Sequence, residues 1–191
     1  WHSMLQRIEG MFAIVLHDSA KEKVFAARDN FGQKPFFYAK LGGGVFILAS
    51  EIKAILSFLD SVEIDRNSII NPVFTTGLPP RGKTVFRRVN QLNPGEEAII
   101  NLKNREFLTR RYFDPKDLVS ESDYNDLNKL SKEEILERYE MALESSVSQH
   151  LVSDAPLGSM FSAGVDSSLI THFACKYQNI KAYYWESNRH D

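Results

Sequence analysis

Met160-Phe161-Ser162-Ala163-Gly164-Val165-Asp166-Ser167-Ser168-Leu169 is the stretch that decides the fold of its half of the chain. An apolar strand ends, small residues make a tight turn, and hydroxyls arrive as a helix begins. That layout suits an anion. Small residues let the backbone approach phosphate oxygens, free N–H groups point outward, and a helix N-terminus adds partial positive charge. Ser162, Ser167 and Ser168 can donate further hydrogen bonds, while Asp166 can cap the helix or hold a metal ion. The Gly-Lys-Ser/Thr ending of a Walker loop is absent. On composition alone, a Ser/Asp-rich loop that merely caps a helix is the competing reading.

Outward from this junction the pattern is α/β. Leu157 to Phe161 reads as a strand, Leu169 to Tyr177 as a helix, and Lys181 to Trp185 as a second strand. Upstream, Ser131 and Glu134 form a Ser-x-x-Glu capping box at a helix start. Ile135, Tyr139, Leu143, Val147 and Leu151 then recur every fourth residue, with Leu136 widening a stripe expected to pack in a core. Helix, strand, loop, helix and strand in that order predict a parallel sheet. Residues 114–130 are rich in Asp, Ser, Asn and Lys and read as a linker.

The first half reads as short strands punctuated by turns. Met11 to Leu16 is a nearly continuous apolar run, as expected for a strand buried on both faces. Lys23 to Ala27, Phe36 to Tyr38 and Val45 to Ala49 supply three more strands, the last after Gly42-Gly43-Gly44, and Ser50 to Leu56 a short helix. Short connections point to an antiparallel meander. A helix is expected at Asp65 to Ile70, ended by Asn71-Pro72, and a loop at Gly77 to Gly82. Strands are expected at Thr84 to Val89, Glu97 to Leu102 and Phe107 to Phe113, with a turn at Asn93-Pro94-Gly95.

Composition narrows the function classes. The chain is 43% hydrophobic and 25% charged with a formal charge of −2, and it has no basic face of the kind that nucleic acid or an anionic membrane needs. No apolar run approaches the length of a membrane span. The single cysteine, Cys175, excludes an intrachain disulfide and points to a reducing cytoplasm; it reads as a small packing residue. His17, His150 and His172 lack metal-ligand spacing.

Ser-x-Gly-x-Asp-Ser-Ser on a strand–helix junction resembles the Ser-Gly-Gly-x-Asp-Ser signature of the PP-loop ATP pyrophosphatases. Ala163 stands where that signature has its second glycine, and its methyl could crowd a phosphate or oppose a positive φ. His150 to Gly158, Glu9 to Ala13, Ala27 to Pro35, Ala49 to Ala54, Gln91 to Gly95 and Arg111 to Phe113 resemble, in order, the glutamine-hydrolysing asparagine synthetases. The resemblance implies a partial α+β N-terminal-nucleophile-type glutaminase domain with antiparallel sheets over 1–113. After the linker at 114–130 would come a partial α/β PP-loop domain with a parallel sheet over 131–191.

In that family a glutaminase releases ammonia, and a synthetase activates aspartate with ATP and Mg²⁺. β-Aspartyl-AMP and pyrophosphate form, and ammonia then displaces AMP to give asparagine. The resemblance places the ATP and pyrophosphate site at Phe161, Ser162, Ala163, Gly164, Val165, Asp166, Ser167 and Ser168, with Asp166 holding Mg²⁺. It implies small-molecule partners (ATP, aspartate and glutamine), with a homodimer as the candidate assembly. Related amidotransferases acting on sugars, peptides or β-lactam precursors, and a non-catalytic remnant, are the alternatives. The family's N-terminal cysteine nucleophile, glutamine-binding Arg and Asn-Gly segment have no match, so no catalytic residue is assigned. Both ends read as cut, and the chain by itself is expected to hydrolyse no glutamine. Arg28-Asp29 reads as a loop anchor or salt bridge, Glu51 and Lys53 as solvated, and Phe36-Phe37-Tyr38 as core. Glu186, after the last strand, is a candidate for the nucleotide crevice.

Overall fold

The computed structural model describes residues 1–74 and 80–185, and the chain divides into two compact units, Trp1–Leu118 and Val119–Asp191. The loop expected at Gly77 to Gly82 lies partly, and Glu186 wholly, outside the described residues.

In the first unit, helix α1 (His2–Leu5) precedes strands β1 (Ala13–Asp18), β2 (Lys23–Arg28), β3 (Phe37–Lys40) and β4 (Phe46–Ala49). Helices α2 (Ile52–Leu56) and α3 (Arg66–Phe74) follow, then β5 (Asn90–Gln91), β6 (Glu96–Asn101) and β7 (Glu106–Arg111). The strands form two antiparallel sheets, ordered β1-β2-β6-β7 and β4-β3-β5. Ala26, Phe36, Leu92 and Ala98 are buried together, with Tyr38, Leu48 and Phe107 against them. Alternation along β3 sends Tyr38 to that core and Phe37 and Ala39 to a second one with Ile55 and Val89, which α2 covers.

The single meander expected from the sequence is not formed, because β3 pairs with β4 and β5 rather than with β2. Between β2 and β3 the chain crosses to the second sheet around Arg28 and Asp29, which are 8% and 1% exposed. Arg28 donates from Nε to the Lys34 carbonyl, from Nη1 to Leu92 and from Nη2 to Gly32, at 2.7, 2.7 and 2.5 Å. The Asp29 carboxylate accepts from the amides of Phe31, Gln33 and Lys34 at 3.3, 2.8 and 2.8 Å. The pair is therefore a loop anchor in which each partner holds backbone. Gly32 has φ +67°, and a Cβ there would lie 2.8 Å from Pro94 and 3.0 Å from Arg28. Tyr112 donates its hydroxyl to the Arg28 carbonyl at 2.7 Å. Burial, helped by the charges of Asp29 and Glu97, pushes the pKa of that phenol well above its ordinary range.

Other expectations need correction. The apolar run at 11–16 is not buried on both faces: β1 is an edge strand, and Met11, Val15 and Leu16 are exposed. Thr84 to Val89 is a looped segment, not a strand. The buried Thr84 hydroxyl accepts from the Phe86 amide and donates to the Val89 carbonyl, a local alternative to ladder bonding. α3 runs past Asn71-Pro72 to Phe74, so the hydrogen bond lost at proline does not end it.

The second unit holds α4 (Glu121–Leu127), α5 (Lys132–His150), β8 (Gly158–Met160), α6 (Val165–Tyr177) and β9 (Lys181–Tyr183). The expected linker is thus partly helical, and Ser120 and Asp123 build a reciprocal capping box for α4. Ser131 and Glu134 do the same for α5. Val147, Phe173 and Ala174 are buried with Leu143, Leu151, Leu169 and Ile180. Only the C-terminal half of the α5 stripe is packed; Ile135, Leu136 and Tyr139 are 43, 55 and 60% exposed, since α6 meets the helix from Leu143 onward. Glu144 braces the pair by accepting from Lys176 and Tyr177. β8 and β9 are parallel, with Ser159 opposite Ala182. No helix among the described residues is long and apolar enough to cross a membrane.

Asp29→Ala leaves three amides without their acceptor in a buried loop, and should cost about 2–4 kcal/mol. Urea unfolding of the chain measures this, and Asp29→Asn, which keeps one acceptor oxygen, should lose less.

Candidate functional site

Phe161 ends β8 by donating its amide to the Tyr183 carbonyl at 2.9 Å, and the chain then leaves the sheet. Ala163 follows with φ +60°, the positive value its place in the motif made suspect. Gly164 is the N-cap of α6, and no side chain caps that helix. The Ser168 amide donates to the Gly164 carbonyl at 3.0 Å. The amides of Val165, Asp166 and Ser167 are left without a protein acceptor among the described residues, as the first turn of an uncapped helix requires.

Two hydroxyls meet over this turn. Ser167 Oγ donates to the Gly164 carbonyl at 3.1 Å and accepts from the Ser162 amide at 3.3 Å. Its single proton is then used, so the 3.0 Å contact between Ser162 Oγ and Ser167 Oγ has Ser162 as donor. The Ser162 hydroxyl is the one that can swing outward to an incoming oxygen. Asp166 is exposed in the first turn and makes no hydrogen bond or ion pair among the described residues, so its carboxylate is free for a cation. Ser168 is half-buried, and Val165 is 75% exposed. The motif residues are thus brought to one turn, though Asp166 does not cap it. A plain capping loop would have a side chain on those amides.

Behind the loop lies a contact that spacing does not reveal. Thr171, 9% exposed, donates to the Ser167 carbonyl at 2.7 Å, and its Oγ1 lies 2.6 Å from Ser159 Oγ on β8. Beside the loop, Met160, Phe161, Ser162, Tyr183, Tyr184 and Trp185 line an open cavity of about 230 Å³. Cys175 is exposed on α6, where Phe173 and Ala174 turn to the core, so it is not the packing residue expected. No group of three or more His, Cys, Asp and Glu is placed to hold a metal ion among the described residues. Among the described residues of this turn the exposed carboxylate of Asp166 is the group that could hold a divalent ion, the sparse protein ligation usual for Mg²⁺.

Comparison with known proteins matches residues 2–113 to the family described as glutamine amidotransferase domain and residues 138–190 to that described as asparagine synthase. Asparagine synthetase [glutamine-hydrolyzing] 2 of Bacillus subtilis is 31% identical over 92% of this chain and 24% of its own length. Asparagine synthetase [glutamine-hydrolyzing] 3 of the same organism is 31% identical over 89% of the chain and 26% of its own. The chain therefore spans about a quarter of the length of these curated relatives. The solved structure of the allosteric regulatory enzyme of purine biosynthesis matches at TM-score 0.39 and 15% identity, over all of this chain and 35% of that one.

A positive φ costs a residue with a Cβ about 1–2 kcal/mol, part of which glycine returns as unfolded-state entropy. Ala163→Gly should therefore raise stability by about 0.5–1 kcal/mol, read from the urea midpoint of the second unit's transition.

Proposed function

We propose, from the premise that this chain belongs to the asparagine synthetase family, that its second unit binds ATP and Mg²⁺ at the loop 161–168. The first unit is then part of the glutaminase that supplies ammonia. The observation that carries the reading is the N-terminus of α6, where three amides without an acceptor among the described residues and the Ser162 hydroxyl converge on one turn. Those donors suit the pyrophosphate that leaves when aspartate is activated. In the proposed reaction an aspartate carboxylate oxygen bonds to the α-phosphorus and the bond to pyrophosphate breaks. Ammonia then attacks the acyl carbon, AMP departs, and asparagine is formed.

Each motif residue has a role in this scheme. Main chain near Phe161 borders the adenosine part of ATP. The amides of Val165, Asp166 and Ser167 and the hydroxyls of Ser162 and Ser168 hold phosphate oxygens, and Asp166 holds Mg²⁺. Gly164 keeps the approach open, since among the described residues beyond its chain neighbours only the Ser162 hydroxyl comes within 4 Å of a built Cβ, at 3.4 Å. Ala163 makes the turn at a φ of +60°, a conformation that its own Cβ disfavours.

Equilibrium dialysis of the 191-residue chain against ATP, with and without Mg²⁺, tests the assignment. Asp166→Ala should weaken Mg²⁺-dependent binding at least tenfold, about 1.4 kcal/mol. Equal binding by the variant and the parent would remove the loop from the nucleotide site.

A further inference from the structure

The loop is tied at both ends by a run of hydroxyl contacts, and we infer that Thr171 is a positioning residue for the anion site. The inference rests on the nucleotide reading of the loop given above. Thr171 is 9% exposed, and it meets the turn where an anion would sit only from behind, at a carbonyl rather than at a free donor. Its one proton goes to the Ser167 carbonyl at 2.7 Å. The 2.6 Å contact with Ser159 must then run the other way, with Ser159 Oγ donating to Thr171 Oγ1.

The result is a closed circuit. Ser159 on β8 holds Thr171 on the second turn of α6, and Thr171 holds the carbonyl of Ser167 on the first turn. The Ser167 hydroxyl in turn receives Ser162, three residues along the chain from Ser159. The strand end and helix start that bracket the loop are therefore fixed to each other through Thr171. Packing alone would not call for a hydroxyl here, because valine fills nearly the same space. What the hydroxyl adds is direction. It pulls on the carbonyl of Ser167, whose amide faces the anion and whose side chain holds Ser162 and Gly164, and an added bond to a helix carbonyl of this kind tilts the turn that makes it. Removing it frees the first turn of α6 to move against β8. The donors are then no longer preorganised, and an anion must order them on binding.

Isothermal titration of the 191-residue chain with inorganic pyrophosphate and Mg²⁺ tests the idea. Thr171→Val should weaken pyrophosphate binding roughly three- to tenfold, the loss of one net hydrogen bond. Thr171→Ser, which keeps both bonds, should restore it. Ser159→Ala should lose a similar factor, and the Ser159→Ala, Thr171→Val double variant should lose no more than the worse single one. Near-UV circular dichroism checks that each variant is folded; if Thr171→Val is not, Ser159→Ala at its half-buried position decides alone. Wild-type binding with Thr171→Val, or Ser159→Ala where it decides, equal to the parent would overturn the positioning role and leave the nucleotide reading standing. Loss in Thr171→Ser equal to that in Thr171→Val would overturn it too, since a hydroxyl-independent effect is packing. No pyrophosphate binding by the parent chain would overturn the nucleotide reading itself, and this inference with it.

Discussion

Arg28 and Asp29 sit where the first unit's chain leaves one sheet for the other, and both are enclosed by main chain. A buried guanidinium or carboxylate is costly unless its hydrogen bonds are complete. Here they are completed by backbone groups of the loop at 31–34 and of Leu92 after β5, while the pair's own main-chain carbonyls take the Gly95 amide and the Tyr112 hydroxyl. Burial lowers the guanidinium's pKa, and the Asp29 charge opposes that shift. Because each group is satisfied only when all these segments are in place, the anchor couples the sheets more tightly than their shared apolar core would alone. Gly32 belongs to the same constraint, being the residue whose side chain would collide with Arg28.

The second unit depends on a different balance. Its apolar core is small, made of Val147, Phe173 and Ala174 with four partners, so polar ties between elements carry more of the specification. Glu144 to Lys176 and Tyr177 sets α5 against α6, and Ser159 to Thr171 sets α6 against β8. Within that frame the turn at Ser162 to Val165 holds a strained alanine. Strain of this kind persists only where the surroundings over-determine the conformation, which the Ser162 and Ser167 contacts do.

What the sequence made legible was local. The Ser131 box, the strand end at Phe161 and the helix that follows are written in neighbouring residues, and the fold class of each unit follows from the order of such elements. Pairing is not local, so nothing near Pro35 announces that β3 will leave β2 for a second sheet. Thr84 to Val89 misleads because its β-branched residues suit a strand, while the Thr84 hydroxyl finds a better partner in the turn. The α4 box escaped because Asp123 stands where Glu or Gln marks the pattern. At the candidate site the motif residues could be named from spacing. The Ser159 to Thr171 contact could not, since it joins a strand to a helix through residue types found anywhere.

From Leu151 to Cys175 the chain has no Lys or Arg, and Asp154 and Asp166 make the segment acidic. A lysine on a flexible stem can follow a phosphate that shifts by an ångström; amide and hydroxyl dipoles cannot, because their attraction falls steeply with distance and angle. On the proposed reading, recognition is therefore geometric before it is electrostatic, and the turn must be held in shape by groups that never meet the ligand. The Asp166 carboxylate sharpens the point. Bare phosphate and carboxylate repel at this range, and the repulsion reverses only with a divalent cation between them. Nucleotide binding should accordingly depend on the cation for its sign and on the hydroxyl circuit behind the loop for its strength.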